Sequence, residues 1–242
     1  MSTLYLVRHG QAGTRDAYDS LSELGKCQAQ LLGEHFVSQG IQFTSGYAGG
    51  LLRQQQTAEQ ICAAYAHAGG VGFPIVSVDA EWDEFDLGRV YREIAPQLAS
   101  DDPEFCREYE EMREQVRATA GAHGASIHRK WLPCDTKIVE AWAAGRYPYG
   151  GETWLQFRER IAACSSKMHD ARGENILVVT SATPIAICTG LSLEITDGRV
   201  MRLAGAVYNA SYTVLRLRHA ELRLFTFNAV PHLAAPGMRT HR

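Results

Sequence analysis

The chain has 242 residues, 45% hydrophobic and 21% charged, with a formal net charge of −3. This is an ordinary globular composition, which excludes a wholly disordered chain and a collagen-like repeat. The near-neutral balance supplies no global field for nucleic acid or an anionic membrane, so neither partner is expected and any charge that matters must be local.

Residues 3–7 (Thr-Leu-Tyr-Leu-Val) read as a buried strand stopped by polar residues and Gly10. No basic segment precedes this short apolar run, so it reads as neither a signal peptide nor a membrane anchor. No stretch approaches the roughly 20 apolar residues that span a bilayer. From Ser22 to Gln39 a helical period places Leu24, Cys27, Leu31, Leu32 and Phe36 on one side, with Ser22 as the starting cap and Gly40 as the stop. A second strand is expected over 41–48 and a second helix over Leu51–Tyr65. A glycine-rich break at 69–72 then precedes a third strand near Ile75–Val78.

The stretch 87–150 is richer in charge and aromatics (FCREYEEMREQVR) and reads as a mostly helical insertion packed over one end of the sheet, not as an independent domain. Asp101-Asp102-Pro103 marks a helix start within it. His123, His128 and Cys134 also fall there, but their spacing fits no zinc template. Residues 174–180 carry the strongest strand signal, and a helix follows with Thr183 as N-cap and Pro184 as first residue. Finally, 211–217 and 221–227 alternate apolar and polar residues as two half-buried antiparallel strands would. Strands separated by helices predict an α/β fold in one domain over 1–242, its largely parallel sheet covered on both faces. Six cysteines without a CxxC pair read as reduced, partly buried thiols, and a cytoplasmic protein is expected.

In open α/β sheets ligands bind beyond the carboxyl ends of the strands. The first strand ends in Arg8-His9-Gly10-Gln11, a guanidinium beside an imidazole with a glycine that permits close backbone approach. Gln11 reads equally as a phosphate ligand or as a turn cap. After the second strand, Arg53 stands at a helix start, where the dipole disfavours a cation unless an anion lies between it and the backbone amides. Glu81-Trp82-Asp83-Glu84-Phe85-Asp86 follows the third strand and mixes carboxylates with aromatics. Thr180-Ser181-Ala182-Thr183-Pro184 closes the fourth strand and aims another positive helix end at the same rim.

The ordered blocks LVRHGQ, LSELGKCQA, LLRQQQTAE, EWDEFD, GGETWLQFRERI and ILVVTSATPIA resemble the histidine phosphatase superfamily, the phosphoglycerate-mutase-like proteins. The ending NASYTVLRL…LFTFNAVPHL is similar to that family's last strands, with His232 in a structural closing segment. This resemblance covers roughly 1–85 and 148–233 and leaves the insertion unmatched. It implies a three-layer α/β/α sandwich and a histidine nucleophile that works without metal or other cofactor. His9 then matches the residue that takes the phosphoryl group on its ε nitrogen, and Arg8 and Arg53 match the arginines that hold the phosphate oxygens. Glu84 matches the carboxyl proton donor, with Glu81 as runner-up.

Elementary chemistry agrees with these roles. Two guanidinium groups favour the neutral, nucleophilic form of His9 and gain most as charge spreads over the transferring oxygens. Aromatic neighbours and a phosphate dianion favour the protonated form of Glu84. One position departs from the family, because Ser181, followed by Ala182, stands where a second histidine is usual. A neutral hydrogen bond contributes about 0.5–1.5 kcal/mol against about 1.5–3 kcal/mol for one to a charged group. The resemblance extends to a branch carrying Thr-Ser-Gly here, so Ser181 reads as a subgroup pattern.

The expected activity is hydrolysis of phosphomonoesters, on a phosphorylated small molecule or a phosphoprotein. A phosphoglycerate-mutase-like phosphotransferase and a catalytically weak phospho-ligand binding protein are the alternatives. Turnover of an aryl phosphate is expected to survive excess chelator; loss of activity under chelation would contradict the metal-free mechanism that the resemblance implies.

Overall fold

The computed structural model describes residues 2–13, 19–119, 133–168, 173–218 and 221–241. His123 and His128 lie outside them. The chain forms two compact units, Met1–Glu84 with Arg160–Arg242, and Phe85–Glu159.

The first unit is built on a six-stranded sheet of β1 (Ser2–Arg8), β2 (Ser45–Ala48), β3 (Val76–Val78), β4 (Asn175–Thr180), β5 (Tyr212–Arg218) and β6 (Glu221–Ala229). Their order is β3-β2-β4-β1-β5-β6. The first four are mutually parallel, while β5 runs antiparallel to β1 and β6 antiparallel to β5. β1 and β4 are near-continuous apolar runs because both faces of the central strands are covered. On one face α1 (Glu23–Ser38) and α2 (Leu52–His67) pack Leu32, Phe36 and Ile61 against Val7, Leu177 and Val179. The alternate residues Leu4, Leu6, Ile176 and Val178 are buried as well, and α7 (Ala182–Leu193) contacts β1, β5 and β6. The result is the α/β sandwich expected from the alternation of strands and helices.

The second unit holds α3 (Leu87–Asp101), α4 (Pro103–Thr119), α5 (Pro133–Ala143) and the start of α6 (Trp154–Lys167), with no strand among its described residues. Asp102 accepts from the amides of Glu104 and Phe105 at 3.0 Å each, so Asp101-Asp102-Pro103 does start a helix. Phe105 stacks on Tyr109 at 5.4 Å within the aromatic stretch, and Trp142 stacks on Phe85 at 4.4 Å and meets Trp154 edge-on at 5.8 Å.

Several local expectations change. The caps of α1 hold, since Ser22 accepts from the Gly25 amide and Gly40 adopts φ +65°. Its buried face differs, however: Gly25, Gln28, Ala29, Leu32, Gly33 and Phe36 are buried, and Cys27 is exposed. Backbone proximity decides this. A Cβ on Gly25 would lie 2.1 Å from the Gln11 carbonyl oxygen, and one on Gly33 2.4 Å from that of Ile61, so the glycine side must face inward. β2 starts only at Ser45, and Ile75 stands 93% exposed just before β3.

Thr183 is not the N-cap of α7. Ser181 is, and Pro184 becomes the third helical residue, tolerated because the first-turn amides have no intrahelical partner. A further helix, α8 (Asp197–Ala206), gives little sequence signal because it buries only Val200 and Ala204. All six cysteines are free thiols, and burial pushes those of Cys62 and Cys164 up to about 11. No helix among the described residues is long and apolar enough to cross a membrane.

His232 sits in an aromatic stack with Tyr212, at 6.4 Å between centroids, and with His35, at 5.9 Å. Burial first, and then the charge of His35, lower its pKa to about 4. The folded state therefore keeps His232 neutral while the unfolded chain takes up a proton below its ordinary pKa of about 6.5. Stability is thus fully present above that value and is lost as the pH falls toward about 4, by up to about 3 kcal/mol. His232→Phe should flatten this acid limb in urea melts between pH 6.5 and 4; an unchanged slope would assign acid lability elsewhere.

Candidate active site

The parallel register places Arg8 opposite Thr180, so the chain leaves β1 and β4 side by side at one rim of the sheet. The His9 amide donates to the Thr180 carbonyl at 2.9 Å. From the other side, Ala210 donates to the carbonyls of Arg8 and His9, and Asn209 Nδ2 reaches the His9 carbonyl at 3.2 Å. The Gly10 amide donates to Thr57 Oγ1 at 3.0 Å, and that hydroxyl donates to the Arg53 carbonyl at 2.7 Å. A Cβ on Gly10 would lie 2.4 Å from the Gly25 carbonyl oxygen, so only glycine permits this close passage of two backbones. The nucleophile candidate is clamped on every side before any ligand is considered.

The geometry also sets the tautomer of His9. Nδ1 lies 2.7 Å from the Gly10 carbonyl oxygen, which can only accept, so Nδ1 carries the ring proton. Nε2 keeps its lone pair and accepts from Arg53 Nε at 3.2 Å. Arg8, His9 and Arg53 are all buried, each no more than 8% exposed, and Arg8 Nη1 donates to the Val207 carbonyl. A neutral imidazole with its ε lone pair beside a guanidinium is arranged for attack on an electron-poor centre carried by an oxyanion.

Arg53 is the second residue of α2, where a cation calls for an anion close by. Two carboxylates meet that need. Asp19 accepts from Arg53 Nη1 at 2.8 Å and from the Leu52 amide at 3.2 Å. Asp83 accepts from the amides of Gly50 at 2.6 Å and Leu51 at 3.2 Å. Burial pushes the Asp83 carboxyl pKa up, against the pull of these amides and of Arg160 and Arg53. Sequence reasoning missed both residues. Asp83 was visible within the acidic block but unremarkable beside two glutamates, and Asp19 follows the first strand with no motif signal of its own.

At the neighbouring helix, α7, Glu84 Oε2 accepts from the Thr183 amide at 3.1 Å. Glu81 is exposed in a short 3-10 turn, Ala80–Trp82, where its amide donates to Asp79. Glu84, not Glu81, is therefore the carboxylate brought to the helix start beside Ser181. Ser181 is buried and accepts from Gln54 Nε2 at 3.0 Å, while Ala182 opens the helix as its first residue. Gln11 turns its amide oxygen to the Ser22 hydroxyl at 2.9 Å, the capping arrangement of α1. The rim thus unites His9, Arg8, Arg53, Ser181, Ala182 and Glu84, with two helix N-termini behind them.

The family model of the histidine phosphatase superfamily (branch 1) matches residues 4–147 and 133–230. The match runs through the helical insertion that the sequence resemblance had left out. A phosphoserine phosphatase from Entamoeba histolytica, crystallised with phosphoserine, superposes with a TM-score of 0.61 at 17% identity, covering 96% of this chain and 100% of that one. The Bacillus stearothermophilus protein YhfR gives 0.62 at 18% identity, over 96% and 99%. A mycobacterial glucosyl-3-phosphoglycerate phosphatase, solved with VO3, gives 0.57 at 20% identity, over 94% and 98%. At these identities the likeness shows the fold. No curated protein sequence matches the chain.

The Asp19 carboxylate takes two donors, Arg53 Nη1 and the Leu52 amide, that a tetrahedral anion at this rim would also use. Asp19 is half-exposed, so its pairing is worth little and should yield to such an anion. Asp19→Ala is expected to tighten binding of inorganic phosphate about two- to fivefold by titration calorimetry. Weaker binding would instead mean that Asp19 holds Arg53 in its binding pose.

Proposed function

The chain belongs to the histidine phosphatase superfamily, and from that premise we propose that it hydrolyses phosphomonoesters through a phosphohistidine formed on His9. The observation that carries this reading is the tautomer. With Nδ1 donating to Gly10, the lone pair stands on Nε2, beside the arginine that would hold the phosphoryl oxygens. An anionic phosphoryl oxygen is a stronger acceptor than imidazole, so it draws the Arg53 Nε–H away and exposes the lone pair to phosphorus.

In the first step Nε2 bonds to phosphorus as the ester P–O bond breaks, and Glu84 gives its proton to the leaving oxygen. Thr183 engages Glu84 Oε2, so Oε1 is the oxygen we assign to carry that proton. In the second step the Glu84 carboxylate takes a proton from water, whose oxygen attacks phosphorus, and the P–N bond breaks to release phosphate and restore His9. Arg8, Arg53, the Ser181 hydroxyl and the amides that open α7 stabilise the charge spread over the transferring oxygens. A phosphorylated small molecule is the favoured substrate class, supported by the phosphoserine and glucosyl-3-phosphoglycerate phosphatases that share the fold.

His9→Ala should abolish turnover of p-nitrophenyl phosphate and of phosphate-ester metabolites. The native enzyme, quenched during turnover, should carry a phosphoryl group that is labile to acid and stable to alkali. Glu84→Gln should cost about 10²–10⁴-fold with an alkyl phosphate and far less with an aryl one, whose leaving group needs no proton. Full activity of His9→Ala would overturn the reading.

A further inference from the structure

The Ser181 hydroxyl occupies a position whose usual task is taken by another group. A serine at a helix N-cap ordinarily accepts from the amide of the second or third helical residue. Ser181 is the N-cap of α7 yet makes no side-chain bond into its own helix, and the amide of Thr183, the second helical residue, donates to Glu84 instead. The hydroxyl of Ser181 instead accepts from Gln54 Nε2 at 3.0 Å.

The direction of that bond is set by the other end of the same amide. Gln54 Oε1 accepts from the Leu51 amide at 3.2 Å, and turning the side chain over would set its NH2 against that N–H. Gly49 makes room for this amide, since a Cβ there would lie 2.0 Å from Gln54 Oε1. Gln54 is completely buried and Ser181 almost so, which keeps water from substituting for either partner. A serine hydroxyl has one proton and two lone pairs. With one lone pair taken by Gln54, the proton must be directed elsewhere, and Ser181 leaves β4 beside the point where His9 leaves β1.

We propose that Gln54 is a positioning residue whose fixed amide holds the Ser181 hydroxyl as an acceptor, so that its proton is presented to a phosphoryl oxygen being transferred to His9. The inference rests on the phosphatase reading above and adds a residue to it. It also gives a physical reason why serine serves at this position. A neutral hydroxyl donates well only if its rotor is held, and Gln54 holds it before substrate arrives.

A double-mutant cycle on kcat/KM with an alkyl phosphate tests this. Ser181→Ala should lose about ten- to a hundredfold, the range for a hydrogen bond to a charged group. Gln54→Met, which keeps the volume and removes the amide, should lose several-fold, mainly in kcat. In the Ser181→Ala background the Gln54→Met loss should vanish. An equal loss in both backgrounds, or a neutral Ser181→Ala, overturns the proposal while leaving His9 chemistry intact. Absence of any phosphatase activity in the native protein, by contrast, would overturn the parent reading.

Gln54→Glu provides a second route should Gln54→Met fail to fold. While protonated, the introduced carboxyl can still donate to Ser181, whereas once ionised it must accept from it. This variant should therefore approach native activity at low pH and lose it through one extra titration as the pH rises. The extra titration should be missing when Ser181→Ala is added; its persistence there also overturns the proposal.

Discussion

Parallel pairing of β1 with β4 is the interaction on which the rest of the site depends. It runs from Thr3 opposite Asn175 to Arg8 opposite Thr180, and its last rung passes from the His9 amide to the Thr180 carbonyl. Because the strands are parallel, both chains leave the sheet at the same rim, with His9 and Ser181 as neighbours. A one-residue slip would turn every side chain to the opposite face. Burial of β1 and β4 on both faces forbids no apolar residue on either side, so the register is set instead by what surrounds it. The Gly10–Gly25 contact, the Ala210 amide and Thr57 all engage the residues just past the strand end.

The electrostatics of the rim follow from a conflict that this placement creates. Buried guanidinium groups beside two helix N-termini gather positive charge in a small volume, and the protein offsets it with its own carboxylates. Asp83 is half-buried and tied to the backbone of the β2–α2 loop, and Glu84 is tied to α7. Asp19 is half-exposed and holds Arg53, which also touches the imidazole. Asp83 is thus held by two backbone amides, whereas Asp19 is the more exposed of the two carboxylates.

Much of this is legible in the amino-acid sequence itself. Apolar runs, alternation and cap residues locate all six strands and α1, α2 and α7 to within a few residues, because burial on both sheet faces marks β1 and β4 as apolar runs and alternation marks the last two strands. The residues gathered at the rim, His9, Arg8, Arg53, Glu84 and Ser181, were readable from strand ends and motif order. What could not be read is what depends on contact between distant backbones. Cys27 looked like a core residue by period, yet the Gly25–Gln11 approach turns α1 away from it. The start of α7 at Ala182, with Ser181 as its N-cap, goes with Glu84 arriving from a remote segment to take the Thr183 amide. Asp19 lies in no motif block and Gln54 is one of three consecutive glutamines within one, so only the fold shows their partners.

The clamp around His9 has a consequence for the order in which the molecule is made. His9 follows the earliest of the six strands in chain order, but its backbone amide and carbonyl are bonded to Thr180, Asn209 and Ala210. Gln28, which donates its amide to Met238 and Thr240 while accepting from Gln11, ties the first loop to a segment far along the chain. Such contacts between early and late residues close slowly. The backbone bonds around His9 are therefore complete only once residues as late as Ala210 have been made.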